Sequence, residues 1–379
     1  MDLKKIFIKD ACPTKVGGQA VMEGIMMKGA DRTAVVIRCP GGRMHIRIKP
    51  LKARGRWARI PLVRGVLVFV GALVEGTKTL MYSAEVLENY MEEDQEAEED
   101  KVYEWLVKRF GEKGAMNAML YSSVVIAILF TVLVFILAPT WLVDLCRFFT
   151  ENAIALNLIE GVVRILMFVL YVWAISRMKE IQTVFQFHGA EHQCIHCFEN
   201  GLELTPDNCK SFETLHPRCG TSFLMFVLVI SLLLFSLLGW PNLFWRITSR
   251  LLLLPVIAGV SFELLQWAGR SDSWVVKILS MPGLLLQKLT TRRPDEKQLE
   301  VAIAAMKAVL DKEGPQDFEG STDTEGNLKS LKEEKAEQEA AEAAGEPADA
   351  GEHGARPVQE APSIPAVLAA AHTSTARRD

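Results

Sequence analysis

Residues 117 to 138 read NAMLYSSVVIAILFTVLVFILA and contain no charged side chain. An α-helix rises 1.5 Å per residue, so roughly 20 mostly apolar residues are needed to cross a hydrocarbon core of about 30 Å. The window therefore predicts a membrane-spanning helix. This one helix is enough to predict an integral membrane protein.

Three further windows are long and apolar enough to be predicted as spans. Residues 222 to 239 carry no charge, whereas 155 to 175 and 247 to 267 contain ionisable residues. Glu160 and Arg164 stand four residues apart, a spacing that allows them to pair on one helix face. The sequence thus predicts a mainly α, polytopic helical membrane protein with about four spans.

The overall composition conceals this class. Half of the 379 residues are hydrophobic and the formal net charge is −4, values that an ordinary soluble protein shares. The acidic residues are concentrated in residues 88 to 100, with a charge of −8, and in residues 311 to 379, with a charge of −9. Removing these two charges from −4 leaves +13 on the rest of the chain, which is both basic and apolar.

Basic residues in the short loops predict the orientation of the spans. The loop 140 to 154 has Arg147 as its single basic residue, and the turn 240 to 246 has Arg246. Lysine and arginine are more numerous in the loops on the other side. The positive-inside rule then places both termini and the loop 177 to 221 in the cytosol. No charged and then apolar leader opens the sequence, so no cleaved signal peptide is expected.

A small soluble portion is predicted before the spans. Residues 14 to 60 are expected to form a β-containing cytosolic portion, because TAVVIRC (33 to 39) and RMHIRIK (43 to 49) flank a Pro-Gly-Gly turn. In the second run, apolar and basic side chains alternate. This alternation predicts a strand whose basic face is solvated near lipid head groups.

The remaining segments complete the predicted domain organisation. Residues 62 to 87 are expected to form an interfacial or re-entrant helix that does not span the membrane. An acidic linker and helix follow at 88 to 113, and the four-span domain occupies 117 to 310. The tail 311 to 379 is rich in Ala, Glu, Pro and Gly, so it is predicted to be disordered.

The cytosolic loop contains a metal-binding motif. Residues 188 to 192 read HGAEH, the H-x-x-E-H pattern, within a helix predicted over 177 to 199. His188 and His192 then share one helix face and lie close enough to hold one metal ion. In this inverted zinc-peptidase motif, Glu191 serves as the general base. The motif predicts a metal-dependent hydrolase with its active site at the cytosolic face, and zinc is the expected ion.

Two histidines need a third ligand if one coordination position is to stay open for catalysis. Glu263 is a candidate because an ionisable group at membrane depth is costly and usually faces a partner inside the protein. His216, Cys219 and Glu199 are the other candidates for this position.

A closed structural zinc site is an alternative. Cys194-x-x-Cys197 and His216-x-x-Cys219 are separated by eighteen residues, a spacing that a Cys₃His site allows. Disulfides are not expected among these cysteines, because the cytosol keeps thiols reduced. On this interpretation the protein is a non-catalytic membrane scaffold or assembly factor. A third possibility is that the histidines bind one another and the backbone without a metal.

The expected partners follow from the membrane placement. Membrane lipids surround the spans, and a lipid-linked compound or a membrane peptide would suit the site as substrate. Nucleic acid is not expected, because no aromatic platform is interleaved with the basic residues. Transport is a further interpretation, motivated by Glu160, Arg164 and Glu263, but four spans are few for a transporter unless the chain forms a homo-oligomer.

Five ordered motifs in this sequence resemble the YqhQ family, a group of bacterial multispanning membrane proteins described as predicted metal-dependent enzymes. The resemblance covers residues 14 to 310, and it implies the fold and a multi-pass placement in the bacterial inner membrane. It also implies that Cys194, His196 and Cys197 stand where relatives have non-ligand residues. This weakens the Cys₃His interpretation and favours a site made of His188, His192, Glu191, His216 and Cys219. The motifs are GGQAVMEGIMMKG (17 to 29), HGAEH (188 to 192), ELT (203 to 205), HPRCGTSFL (216 to 224) and PGLLLQKLTTRRP (282 to 294).

Overall fold

The computed structural model describes residues 6 to 330, apart from the gaps 9–11, 52–54, 56, 58–59, 92–100, 147, 239–241, 269–272, 316 and 323–327. Most of the predicted acidic linker and the tail beyond residue 330 therefore lie outside the described residues. The described strands are β1 (Gly17–Val21), β2 (Gly24–Lys28), β3 (Arg32–Arg38), β4 (Met44–Pro50), β5 (Phe318–Thr322) and β6 (Leu328–Ser330).

Helices make up most of the chain between β4 and β5. A π-helical turn, Leu133–Leu137, joins the second and third helices. The described α-helices are α1 (Val63–Met91), α2 (Lys101–Val132), α3 (Ala138–Cys146), α4 (Ala153–Ile175), α5 (Lys179–Glu199), α6 (Pro206–Lys210), α7 (Gly220–Ser236), α8 (Leu243–Ala268), α9 (Trp274–Thr290) and α10 (Glu296–Leu310).

The strands form one antiparallel sheet in the order β1 to β6. The predicted hairpin is confirmed, since β3 and β4 pair with Arg38 opposite Met44. Gly41 and Gly42 in its turn have φ of +78° and +82°, a region that glycine adopts without steric cost. β1 and β2 form a second hairpin within GGQAVMEGIMMKG.

Part of the predicted tail belongs to the sheet. β5 pairs with β4, with Phe318 opposite Ile48, and β6 pairs with β5. Phe318 packs against the main hydrophobic core, so this segment has an apolar anchor that the tail composition as a whole lacks. The prediction of disorder from residue 311 was therefore wrong for residues 318 to 322 and 328 to 330.

Helices cover the sheet on both faces. α5 and α10 pack on one face and bury the apolar residues of β2, β3 and β4 in the largest hydrophobic cluster. α1 covers the opposite face, where Val86 and Leu87 lie in a cluster with Met26, Val35 and Ile37. The result is a three-layer arrangement, which explains why consecutive residues of β3 are apolar: they face different helices on the two sides of the sheet.

The predicted basic face of β4 is only partly solvated, since Lys49 is exposed but His45 and Arg47 pack against α1. His45 is 4% exposed, and its Nε2 lies 2.7 Å from the Tyr82 hydroxyl of α1. The Arg47 guanidinium lies 4.1 Å from the centre of the Tyr82 ring, and the same hydroxyl donates to Glu319 at 2.6 Å. The prediction of a solvated face was wrong for His45, because α1 occupies that part of the sheet, and the nearness of this strand to lipid head groups stays a prediction.

Four helical stretches in the described part of the chain are long and apolar enough to cross a membrane: Val63–Tyr90, Val125–Leu145, Ala153–Ile175 and Phe244–Ala268. The predicted class, a mainly α polytopic protein with about four spans and a small N-terminal sheet, is confirmed. The window predicted at 222 to 239 is the shorter apolar helix α7, of 17 residues, about 25 Å long.

Helix α1 packs differently from the other long apolar helices. Near its C-terminal half, the Met22 N–H donates to Ser83 at 3.3 Å, so this half lies on the sheet. Near its start, Gly65 has no room for a Cβ beside Phe262 of α8. Glu75 and Gly76 already contact Lys28 and Gln19 of the sheet, and the twelve helical residues before them are about 18 Å long, less than a hydrocarbon core. The interfacial or re-entrant helix at 62 to 87 stays a prediction, and this packing is compatible with it.

A buried ion network joins α3, α4 and α8. Glu160 is 1% exposed and accepts hydrogen bonds from Arg164 at 2.8 Å and from Thr140 at 3.0 Å. Arg250 donates to both oxygens of the Glu160 carboxylate, at 2.6 Å for Oε2. The predicted pairing of Glu160 with Arg164 is confirmed, and Arg250 extends it into a contact between helices.

We expect Glu160→Gln to destabilise the protein in detergent by roughly 3 to 5 kcal/mol, because two buried guanidinium groups lose their shared carboxylate. Thermal unfolding of the purified chain measures this change. Glu151→Gln, in the exposed loop before α4, is the control and should shift the stability by less than about 0.5 kcal/mol. An unchanged unfolding midpoint for Glu160→Gln would show that the network does not stabilise the helix packing.

Candidate metal centre

Helix α5 carries both histidines of the HGAEH motif. The helix predicted over 177 to 199 forms as Lys179–Glu199, and Gly201 beyond its end has a φ of +69°, as glycine at a helix C-terminus often does. His188 and His192 are one turn apart, and their ring centroids are 4.5 Å apart. Their predicted placement on one helix face is confirmed.

Cys219 completes a three-residue cluster with these histidines. Its Sγ lies 3.1 Å from His188 Nε2, and one potential ligand atom from each residue lies within 4.8 Å of the others. Cys219 is the N-cap of α7, and the Thr221 N–H donates to its Sγ at 3.4 Å. Among the described residues, this is the group of His, Cys, Asp and Glu side chains that is close enough to hold a metal ion.

Backbone carbonyls orient both imidazoles toward the cluster. His188 Nδ1 donates to the Thr290 carbonyl at 2.8 Å, and His192 Nδ1 donates to the Thr214 carbonyl at 2.5 Å. Since a carbonyl oxygen only accepts, each Nδ1 carries the proton and each Nε2 presents its lone pair. His192 Nε2 is buried and has no hydrogen-bond partner among the described residues. The donor set therefore fits a metal ion, because a bound cation would satisfy this nitrogen.

Helix α9 holds the loop that ends in Cys219. The Gln287 side chain is fully buried, accepts from the His216 N–H at 2.8 Å and donates to the His216 carbonyl at 2.9 Å. It also donates to the Ser222 hydroxyl at 3.0 Å. Gln287 thus binds the chain on both sides of Cys219. Sequence reasoning missed this residue, although it lies in the PGLLLQKLTTRRP motif that supported the resemblance.

Glu191 lies beside the cluster and is bound from the sheet. The Gly18 N–H of β1 donates to its Oε1 at 2.7 Å. Burial raises the pKa of Glu191 to about 7, while His188 lowers this pKa and Cys219 raises it. A carboxyl group with a pKa near neutrality can accept a proton and return it at cellular pH.

Two glycines make this geometry possible. A Cβ on Gly18 would lie 3.0 Å from the Glu191 carboxyl carbon and 2.7 Å from the Met26 carbonyl oxygen. A Cβ on Gly189, inside the motif, would lie 2.0 Å from the Arg292 carbonyl oxygen. The second glycine therefore lets the chain after α9 approach α5 closely enough for Thr290 to bind His188.

Glu263 is not part of the cluster, so its prediction as third metal ligand finds no support in its position. Its carboxylate accepts from Arg64 Nε at 2.7 Å and from the Leu62 N–H at 3.4 Å, at the contact between α1 and α8. Glu263 was a candidate because an ionisable group at membrane depth needs a partner, and the Arg64 guanidinium is that partner. Cys219 takes the third position instead.

His216 lies behind His192 and is engaged elsewhere. The two ring centroids are 5.6 Å apart, while His216 Nε2 faces Glu199 at 3.7 Å and its Nδ1 accepts from the Arg218 N–H at 3.3 Å. Burial lowers the pKa of His216 to about 4. Burial alone would raise the pKa of Glu199, but His216, Thr14 and Arg218 together lower it to about 2. His216 and Glu199 therefore support the loop and do not join the three-residue cluster.

The closed Cys₃His site is not assembled. Cys194 and Cys197 lie in the hydrophobic cluster between α5 and the sheet, together with Cys209, whereas Cys219 lies with the histidines. Hydrogen bonding to Cys209, followed by burial, raises the pKa of the Cys197 thiol. The raised pKa keeps the Cys197 thiol protonated in this apolar setting.

Comparison with known proteins agrees with the motifs. Residues 60 to 312 match the family model described as "Protein of unknown function (DUF1385)". The chain is 33% identical over 310 residues to the uncharacterized protein YqhQ of Bacillus subtilis (strain 168), an alignment that covers 80% of this chain and 94% of that protein. No solved structure matches this chain.

We expect Gly18→Ala to destabilise the protein by about 1 to 3 kcal/mol, because its methyl group meets a backbone carbonyl and the Glu191 carboxyl. The neighbouring Gly17→Ala is the matched control, since nothing lies within 4 Å of a Cβ at that position. Thermal unfolding of both variants in detergent compares them directly. Equal stability of the two variants would contradict the close contact between β1 and Glu191.

Proposed function

We propose that this chain, a member of the DUF1385 family of proteins of unknown function, is a metal-dependent hydrolase. Its active site would lie at the cytosolic face of the membrane. One observation carries the proposal. Two histidines and a cysteine converge with both Nδ1 atoms bound to backbone carbonyls, and the described residues leave the buried His192 Nε2 without a hydrogen-bond partner. Such outer hydrogen bonds are typical of metal-binding histidines.

The donor atoms favour zinc. Two imidazole nitrogens and one thiolate suit zinc, whereas magnesium and calcium prefer oxygen ligands. Burial raises the pKa of the Cys219 thiol, but His192 and the hydrogen bonds of Thr221 lower it more, and the net shift favours the thiolate. Three protein ligands leave the fourth tetrahedral position open, as catalytic zinc sites require.

Glu191 is the proposed general base. A divalent cation at this site would polarise a substrate oxygen and lower the pKa of water. Glu191 then takes up the proton that the attacking water loses and returns it to the leaving group. Gly18 fixes the carboxylate in place through Oε1, which leaves Oε2 for the proton transfer.

The site lies at one end of the apolar helices. α4 and α7 run antiparallel, because Gly161 contacts Leu232 near one end, whereas Val172 and Met225 share a cluster near the other. Cys219, just before α7, therefore lies near the C-terminal end of α4. The candidate centre is thus at the boundary of the apolar region.

Exposed aromatic side chains mark this end as a membrane boundary, and basic side chains support its cytosolic assignment. Trp173 and Trp267, near the C-terminal ends of α4 and α8, are exposed, and tryptophan is enriched at membrane interfaces. Arg177 lies 4.9 Å from the Trp173 ring, and Arg218 lies next to the centre. Basic residues on this side agree with the positive-inside rule, and a bilayer-borne substrate such as a lipid-linked compound or a membrane peptide suits this location.

Metal analysis tests the ligand set. We expect the full chain purified in detergent with added zinc to retain about one zinc per chain after removal of free ion. His188→Ala, His192→Ala and Cys219→Ser should each lower zinc affinity at least about tenfold, as loss of a ligand does. Cys12→Ser, at an exposed cysteine, is the control. Wild type without metal, or full retention in all three variants, would contradict the site.

Substitution of Glu191 separates catalysis from scaffolding. We expect Glu191→Gln to keep the fold and bind zinc as the wild type does, yet to lower the hydrolysis rate by at least about a hundredfold. Hydrolysis is measured in vesicles against a panel of lipid-linked esters and membrane peptides. Full activity of Glu191→Gln would exclude its role as base. Zinc binding together with complete inactivity of the wild type across the panel would favour the non-catalytic scaffold.

A thiol-based hydrolase is the second candidate function. The distance of 3.1 Å between Cys219 Sγ and His188 Nε2, with His188 oriented by the Thr290 carbonyl, is also the geometry of a nucleophile, a base and an orienting group. Metal content decides between the two functions. An apoprotein that hydrolyses substrate and is inactivated by alkylation of Cys219 would establish the thiol mechanism.

A further inference from the structure

Helix α9 has two different faces. Three apolar side chains along its outer face are exposed, Trp274 at 73%, Ile278 at 59% and Leu285 at 53%, and the exposed Lys288 follows them near the end of the helix. An amphipathic pattern of this kind needs a partner for its exposed apolar face. The buried face consists of Val276, Ser280, Gly283, Leu284, Leu286, Gln287 and Thr290.

The buried face of α9 reaches all three residues of the candidate centre. The Thr290 carbonyl accepts from His188, and Gln287 holds the loop on both sides of Cys219. The hydroxyl of Thr291, directly after the helix, donates to the hydroxyl of Thr214 at 3.4 Å. The carbonyl of Thr214 in turn accepts from His192. A displacement of α9 therefore moves the supports of every ligand at once.

The surroundings of the exposed face identify its partner as the lipid bilayer. α9 packs on α7 so closely that Gly283 has no room for a Cβ beside Ser222. Leu286 shares a cluster with Val172 of α4 and Met225 of α7. The inner face of α9 is thus packed on helices that span or enter the membrane, and its exposed outer face points away from them. Exposed tryptophan at the start of such a helix is typical of a membrane interface.

We propose that α9 is a membrane-surface helix and that its contact with the bilayer keeps His188, His192 and Cys219 in their relative positions. The inference rests on the proposed function in one respect, because the zinc-binding measurement below presupposes the metal centre. It adds a dependence that the proposed function does not require, because the centre is fully formed only when lipid covers the outer face of α9. Detachment of α9 would loosen the ligands without altering any of them.

The first experiment measures the contact with the bilayer itself and needs no metal. Tryptophan fluorescence of the wild type and of Trp274→Phe is compared in vesicles of phosphatidylcholine and phosphatidylglycerol, brominated near the head group in one set. The wild type should lose more signal to the bromolipid than Trp274→Phe does. Equal quenching of the two proteins would overturn the membrane-surface assignment. A stable dimer seen by light scattering together with an unquenched Trp274 would assign the face to a second copy of the chain.

The second experiment measures the coupling. Ile278→Ser with Leu285→Ser should weaken zinc binding in vesicles at least tenfold. The control Leu251→Ser with Leu252→Ser changes two exposed apolar residues of α8 and should change zinc binding less than twofold. The rate at which monobromobimane labels Cys219, read by mass spectrometry, should rise several-fold in the α9 variant alone.

The two readouts keep the outcomes separate. Zinc binding and Cys219 labelling that are both unchanged in the α9 variant would overturn the coupling, even if the bromolipid quenches Trp274. If the wild type binds no zinc, the proposed metal-dependent function fails. The labelling rates then still decide whether α9 controls the geometry around Cys219.

Discussion

Helix α5 has to satisfy two different environments along its length, and the rest of the fold is arranged around this constraint. Phe187, Ala190, Cys194 and Cys197 form one helical stripe that is buried against the sheet. His188, His192 and His196 form a neighbouring stripe that faces the loop before α7. A three-residue or four-residue spacing separates the members of each stripe, so the helix presents an apolar face and a polar face along the same turns.

This constraint explains which residues can take part in the candidate centre. Cys194 and Cys197 are on the stripe that packs against the sheet, so they cannot meet Cys219 without unwinding the helix. The polar stripe would be costly to bury without partners. The Thr290, Thr214 and Leu215 carbonyls accept from His188, His192 and His196, and they supply those partners. Because the partners are backbone groups, the centre depends on the path of the chain rather than on further polar side chains.

The ion network and the candidate centre are two separate polar sites of the apolar region. Glu160 and its arginines compensate one another within the helix packing, and Glu263 is compensated by Arg64. At the centre, in contrast, the buried His192 Nε2 has no partner among the described residues. Fully paired charges hold helices together, whereas a buried imidazole nitrogen without a partner beside a carboxyl group of raised pKa is typical of functional sites. The candidate functional site is therefore on α5 and not among the charged residues of the spans.

The sequence by itself determined the class of the protein, the helix bearing His188, Glu191 and His192, and the hairpin of β3 and β4. These features depend on local properties: the length of an apolar run, a four-residue spacing and a glycine turn. Only the tertiary structure decided that Cys219, and neither Glu263 nor His216, lies with the two histidines. It also decided that Gly18 and Gln287 hold the centre, and that α1 covers the basic face of β4. Those contacts join residues more than twenty positions apart, and a local pattern cannot indicate which distant partner compensates a charge or occupies a buried face.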